Sequence, residues 1–356
     1  MAGKRLKVEE HKSKKKIVGA FFLILIILLA IAGTYYYFEI YNKTEVSSET
    51  NTILPEVVEE PEPEQESIFS GDERPIAVMI DNHKGAWPQA GLNKAYSVYE
   101  IIVEGGETRL MALFKGVDLD EIGPVRSSRH YFLDYALEND AIYAHYGWSP
   151  KARTDISSLD VDNINGITES SSSFWRTKAK AAPHNVFTST KDIKKIAKNK
   201  GYSLTSDEDS VLNYTFDEVN LEDGIDANTV TIPYSELHTT SYKYDEETKR
   251  YTRYARGKKQ TDYETKEPIT TKNIIITFVR NSKLNDGTKK DRQTLNNVKT
   301  CDGYYITNGK AIKIKCIKKS RKGQTVYQDL DGNEIEVNDG NTFFNICPID
   351  SDVTFE

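Results

Sequence analysis

Apolar and polar positions follow three different rhythms along this chain, and each change of rhythm marks a change of organisation. Residues 17–38 (IVGAFFLILIILLAIAGTYYYF) run without a charge. About 20 apolar residues are needed for a helix to cross the hydrocarbon core, so this stretch predicts one transmembrane signal-anchor helix. Tyr35, Tyr36 and Tyr37 at its far end suit the aromatic belt of the interface. Residues 39–72 have neither helical nor strand periodicity, and PEVVEEPEPEQE (55–66) lies at their centre. Closely spaced prolines and mutually repelling carboxylates predict an extended spacer.

From residue 73 the pattern becomes short apolar runs punctuated by turn residues. IAVMID (76–81), YSVYEIIV (96–103), RLMALF (109–114) and AIYAH (141–145) read as buried strands. Gly105-Gly106 forms the turn between the second and third. Phe132, Leu133, Ala136 and Leu137 recur at helical spacing, and Ser127 or Ser128 can cap a helix running to about Glu138. PKARTDISSLD (150–160) and TKDIKKIAKNKG (190–201) predict two more helices. Beyond residue 206 only short β-rich runs remain, and Asn308-Gly309 is a strong hairpin signal. The expected fold is α+β. A mixed α/β domain over 73–205 precedes a mainly antiparallel β domain over 206–356, with the transmembrane helix N-terminal to both.

Composition fits this picture: 38% of the 356 residues are hydrophobic and 28% charged, enough for a core. The net charge of -7 is unevenly placed. Lys4, Arg5, Lys7, Lys12, Lys14, Lys15 and Lys16 make residues 1–16 a basic tail, which predicts a cytoplasmic N-terminus and an extracellular C-terminal body on a single-pass membrane protein. No basic excess falls on the folded part, which argues against nucleic acid as a partner. Ala30-Ile31-Ala32 is a small-residue site at which a peptidase could release the body instead. A lipid anchor would need a cysteine just after the apolar run, whereas the first is Cys301. Counting outward from Asn308-Gly309 places Cys301 opposite Cys316, where a cross-strand disulfide is geometrically open. Against it stand an odd cysteine count and Gly303, which could introduce a bulge; Cys347 reads as a free core thiol.

Candidate chemistry concentrates between residues 81 and 185. Glu104 and Glu107 flank Gly105-Gly106 and could act as general acid or base, with His145 as a further catalytic candidate and Asp81 as another carboxylate. Arg109, Arg126 and Arg129 near strand ends or a helix start would cradle phosphate or carboxylate. His83 and His184 in separate loops, with Trp148 and Trp175 as flat aromatic surfaces, complete the expected ligand-binding set. Trp87 is the remaining tryptophan, and it lies close by in sequence. His83, His145 and His184 show no HxH or HExxH spacing, so no metal or other cofactor is expected. Each residue also has a plainer reading. The arginines can pair with Asp118, Asp120, Asp134 or Glu138, and histidines among tyrosines are often core residues.

Several long stretches, in order, resemble the YerB-like lipoprotein family (domain of unknown function 3048). They are RPIAVMIDNH, YEIIVEGGETRLMALF, EIGPVRSSRHYFLDYA, AIYAHYGWSP, the run from Asn165 through FWR to APHN, and DLDGNEIEVNDGNTFFNICP. The resemblance spans about residues 72–350 and implies an extracytoplasmic, membrane-tethered protein with a mixed N-terminal domain and a smaller C-terminal one. It brings no assigned reaction. The expectation is a cell-envelope protein that binds, with processing as a further option, an anionic glycan or phosphate-containing cell-wall polymer. The alternatives are a scaffold for an envelope synthase and a Glu-dependent hydrolase or lipid-linked phosphate transferase.

Overall fold

The computed structural model describes residues 26–37 and 67–356. Residues 26–37 are helical and expose Ile26, Leu28 and Leu29. The rest of the predicted membrane span, the basic tail and most of the acidic spacer lie outside the described residues. Among the described residues no helix is long and apolar enough to cross a membrane.

Residues 64–356 form one compact unit. Its main sheet has 12 strands. The ones that matter here are β1 (Ile76–Asp81), β2 (Ser97–Ile102), β3 (Thr108–Phe114), β4 (Ile142–His145) and β5 (Asn163–Asn165). Three helices accompany them: α1 (Phe132–Glu138), α2 (Pro150–Ser158) and α3 (Thr190–Asn199). A second, smaller sheet is built on β6 (Thr229–Pro233), β7 (Thr239–Asp245) and β8 (Arg250–Ala255). The chain then returns to the main sheet with β9 (Asn273–Lys283), β10 (Thr300–Thr307), β11 (Lys310–Lys318), β12 (Thr325–Gln328) and β13 (Thr342–Pro348). The order across it is β12-β11-β10-β9-β13-β2-β3-β1-β4-β5. The fold is mixed α/β with few helices and many strands.

Period-2 alternation in the central strands explains the layering. Val78, Val98 and Leu110 share one buried cluster with Ile232, Tyr242 and Ile193, from the second sheet and α3. Met79, Tyr99 and Met111 share the other with Phe132, Ala136 and Ile156, from α1 and α2. The central strands are covered on both faces, which is why they read as continuous apolar runs.

Two local expectations meet different outcomes. The hairpin forms at Asn308-Gly309, with φ of 48° and 77°, and its register pairs Cys301 with Cys316 without a break at Gly303. All three cysteines are nevertheless free and buried. The serine cap does not form: α1 begins at Phe132, and no side chain caps it. Ser127 donates instead to the Tyr146 carbonyl (2.9 Å), and Ser128 accepts from the Tyr143 hydroxyl (2.9 Å). Residues 122–128 stay extended because their backbone has partners in the sheet. Arg126 N donates to the Met79 carbonyl and Tyr146 N to the Arg126 carbonyl, so this segment wedges between the ends of β1 and β4.

Candidate functional site

β2 and β1 both run antiparallel to β3, β4 runs parallel to β1, and β13 runs parallel to both β2 and β9. The carboxyl ends of β1, β2, β4, β9 and β13 therefore share one edge, the edge at which ligand sites form in sheets of this kind. A cavity of about 420 Å³ opens there. Asp81, the last residue of β1, lies opposite Arg109 on β3. The Gly105-Gly106 turn, with φ of 67° and 74°, carries Glu104 and Glu107 over it. The extended wedge supplies Arg126 and leads into Arg129, and loops bring His184 and Lys290.

The contacts within the cavity are specific. Asp81 forms ion pairs with Arg126 (3.1 Å) and with Nδ1 of His184 (2.7 Å), and its other oxygen accepts from the His83 backbone N–H (3.1 Å). The His83 and His184 rings stack, with centroids 4.4 Å apart and planes 10° apart. Arg129 grips Glu104 through two bonds of 2.5 and 2.8 Å, and Arg292 approaches the same carboxylate at 3.5 Å. Glu107 pairs with Arg256. Arg109 is buried, and its guanidinium donates to the Ser127 carbonyl (2.5 Å) rather than to a carboxylate.

Electrostatics sorts these groups. Burial would raise the Glu104 pKa, but the bonds and charge of Arg129, helped by Arg109, hold it below the ordinary range. It is an ionised partner for arginine, not a proton donor. Burial, then the charge of Arg129, bring Arg109 down to about 10 against the pull of Glu104 and Asp81, so it stays cationic at neutral pH. Burial and the adjacent His184 lower the His83 pKa, with Glu107 and Asp81 opposing them. Gly85 N–H donates to Nδ1 of His83, so the neutral ring carries its proton on Nε2.

Of the residues singled out in the sequence, Glu104, Glu107, His83, Arg109, Arg126, Arg129 and His184 all line this cavity. The other three do not. His145 is buried on β4, behind the wedge, with its ring nitrogens against Gly147 O (2.8 Å) and Asn163 Oδ1 (3.4 Å). Burial takes its pKa down to about 4 despite those bonds. Trp148 lines a separate groove with Pro150 and Arg153, and Trp175 pairs with Phe187 in a small two-stranded sheet. Trp87 donates to Asn82 Oδ1 (3.3 Å) and also does not line the cavity. The expected aromatic platform is thus not assembled beside the arginines. Sequence reasoning missed Lys290, Arg256 and Arg292, whose distance along the chain hides them. Among the described residues no group of three or more His, Cys, Asp or Glu side chains could hold a metal ion.

Comparison with known proteins places this arrangement in context. The family described as protein of unknown function (DUF3048) matches through its N-terminal domain at residues 62–203 and its C-terminal domain at residues 230–344. A Bacillus subtilis (strain 168) protein named "Putative lipoprotein YerB" is 32% identical over 288 residues, which is 78% of this chain and 82% of that protein. The crystal structure of YerB protein from Bacillus subtilis aligns with a TM-score of 0.71 at 31% identity, covering 80% of this chain and 94% of that one.

Proposed function

The chain belongs to the DUF3048 family, and from that premise we propose an extracytoplasmic, membrane-tethered envelope protein whose body binds an anionic ligand at the carboxyl edge of the main sheet. The lipoprotein name of the relative supports the tether. In this chain we assign that role to the apolar run at 17–38, with residues 39–72 as spacer and the basic tail on the cytoplasmic side. The ligand class is a phosphate- or carboxylate-bearing cell-wall polymer.

One observation carries the ligand reading. Arg109 is a buried guanidinium facing a cavity, with no carboxylate hydrogen-bonded to it, in a protein whose other cavity arginines are paired. Burying a charge costs several kcal/mol, and Glu104 and Asp81 offset that for Arg109 only through space. An anion seated between Arg109 and Arg126 would offset that cost through bidentate bonds. The lining is charged, and Val103 is its one sizeable aliphatic residue, so no apolar groove for a lipid chain runs beside the arginines.

Titration calorimetry of the full chain in detergent tests this with poly(glycerol phosphate), a carboxylated polysaccharide and a neutral glucan. Anionic polymers should bind with steep salt dependence, and Arg126→Gln should weaken them at least about tenfold, the scale set by a charge-assisted bond. Equal binding of the neutral glucan would overturn the reading and turn attention to a protein partner such as an envelope synthase.

A further inference from the structure

Resting on the reading of the cavity as an anion site, we propose that it is a phosphodiester-hydrolysing centre in which His184, held by Asp81, is the general base. A carboxylate only accepts hydrogen bonds, so the 2.7 Å contact with Asp81 fixes the His184 proton on Nδ1. Nε2 then carries the lone pair on a ring that lines the cavity. An acid orients the imidazole through one nitrogen so that the other can take a proton, which is the division of labour of a hydrolytic dyad. Stacking on His83 fixes the plane of the ring. Asp81 and His83 are positioning residues; His184, Arg109 and Arg126 are the groups placed to touch substrate.

The chemistry of the lining selects phosphorus over the alternatives. Acyl transfer through a covalent intermediate needs a nucleophile, but the one hydroxyl in the lining, Thr108, is donated to Glu100 (2.7 Å). Glycoside hydrolysis needs a carboxylic acid that keeps its proton, whereas Glu104 is clamped by Arg129 and Glu107 by Arg256. Two guanidinium groups beside a base match a phosphodiester, whose charge sits on two non-bridging oxygens and grows during attack. In the step, water attacks phosphorus and gives a proton to Nε2 of His184. A new P–O bond forms as the P–O bond to the alcohol breaks. The alkoxide takes a proton from water and the imidazolium returns its own to solvent, giving a phosphomonoester and an alcohol. The titratable groups packed against His184 are Asp81, which Arg126 also pairs, and the stacked His83.

The full chain in detergent is assayed for hydrolysis of bis(p-nitrophenyl) phosphate and of poly(glycerol phosphate), alongside calorimetric binding of the polymer. Wild type should turn over both. His184→Gln should lower kcat by about 100-fold or more, the usual scale for a general base, while polymer binding stays within about threefold. Asp81→Asn should lower kcat and move the acidic limb of the pH–rate profile, which a merely structural role would not do. Arg126→Gln should raise KM and also lower kcat, because the charge it faces grows during attack. Binding without turnover by wild type, or undiminished turnover in a folded His184→Gln variant, overturns this inference and leaves the anion site standing. Absence of both binding and turnover overturns this inference and the anion site together.

Discussion

Two clusters built from the same residue types, on opposite faces of β2 and β3, behave very differently. On the face toward the second sheet, Glu100 accepts from Arg253 (2.8 Å), Thr108 (2.7 Å), Asn82 (3.0 Å) and Thr240 (3.0 Å) and contacts His238 (2.9 Å). Glu100, Arg253 and His238 are wholly excluded from solvent. On the other face, Asp81, Arg109, Arg126 and His184 leave a guanidinium with no carboxylate hydrogen-bonded to it and an imidazole whose second nitrogen Asp81 does not engage, both on residues that line a cavity. Charge that is matched and sealed holds two sheets together. Charge at an opening that lacks a hydrogen-bonded partner is available for a ligand.

The largest effect separating the two is on stability. Glu100→Gln leaves Arg253 buried without its counter-charge, and breaking such a pair costs about 3 to 5 kcal/mol. Denaturant unfolding should show that loss, and a change below about 1 kcal/mol would mean the two sheets do not depend on the pair. Acid should discriminate next. Burial would raise the Glu100 pKa, but Arg253 and His238 pull it well below the carboxylate range. The stability Glu100 confers is therefore full above its unfolded pKa, near about 4.3, and is lost only as pH falls through its much lower folded value.

His145 and His130 add to the acid loss at higher pH, since burial first of all lowers each to about 4. Protons then bind the unfolded chain more readily, so the histidine contribution to stability should fall as pH drops from about 6.5 to about 4 and level off below, where the Glu100 loss takes over. His145→Asn should flatten part of that slope, and an unchanged slope would exclude His145 as a source. The smallest stability effect should come from the cavity. Arg126→Gln leaves Asp81 its bond to His184 and should cost only about 1 kcal/mol, although anion binding should weaken at least about tenfold. A variant that unfolds instead would place Arg126 with the sealed cluster.

Much of this was legible in the sequence where local rules apply. Strands β1 to β4, helices α2 and α3, the Gly105-Gly106 turn and the hairpin register follow from periodicity and turn chemistry. Seven of the ten candidate residues share the cavity because they sit on loops at one edge of the sheet. His145 looked equivalent, but the wedge that hydrogen-bonds to both β1 and β4 shields it. Ser127 and Ser128 looked like helix caps because nothing local reveals that Tyr146 and Tyr143 would claim their hydroxyls. Partners such as Arg256 for Glu107 or Arg253 for Glu100 lie roughly 150 residues away and carry no pattern of their own.

β13, nearly the last strand made, lies between β2 and β9 and runs parallel to both. Until residues 342–348 emerge from the ribosome or an export channel, the middle of the main sheet has an empty slot. A nascent chain ending at residue 205 should therefore give the weak circular dichroism and ready proteolysis of an unfolded segment, and a protease-resistant fragment would contradict this. Folding is postponed until residues 342–348 are made. If the body is exported as proposed, delay of that kind keeps the chain thin enough to pass.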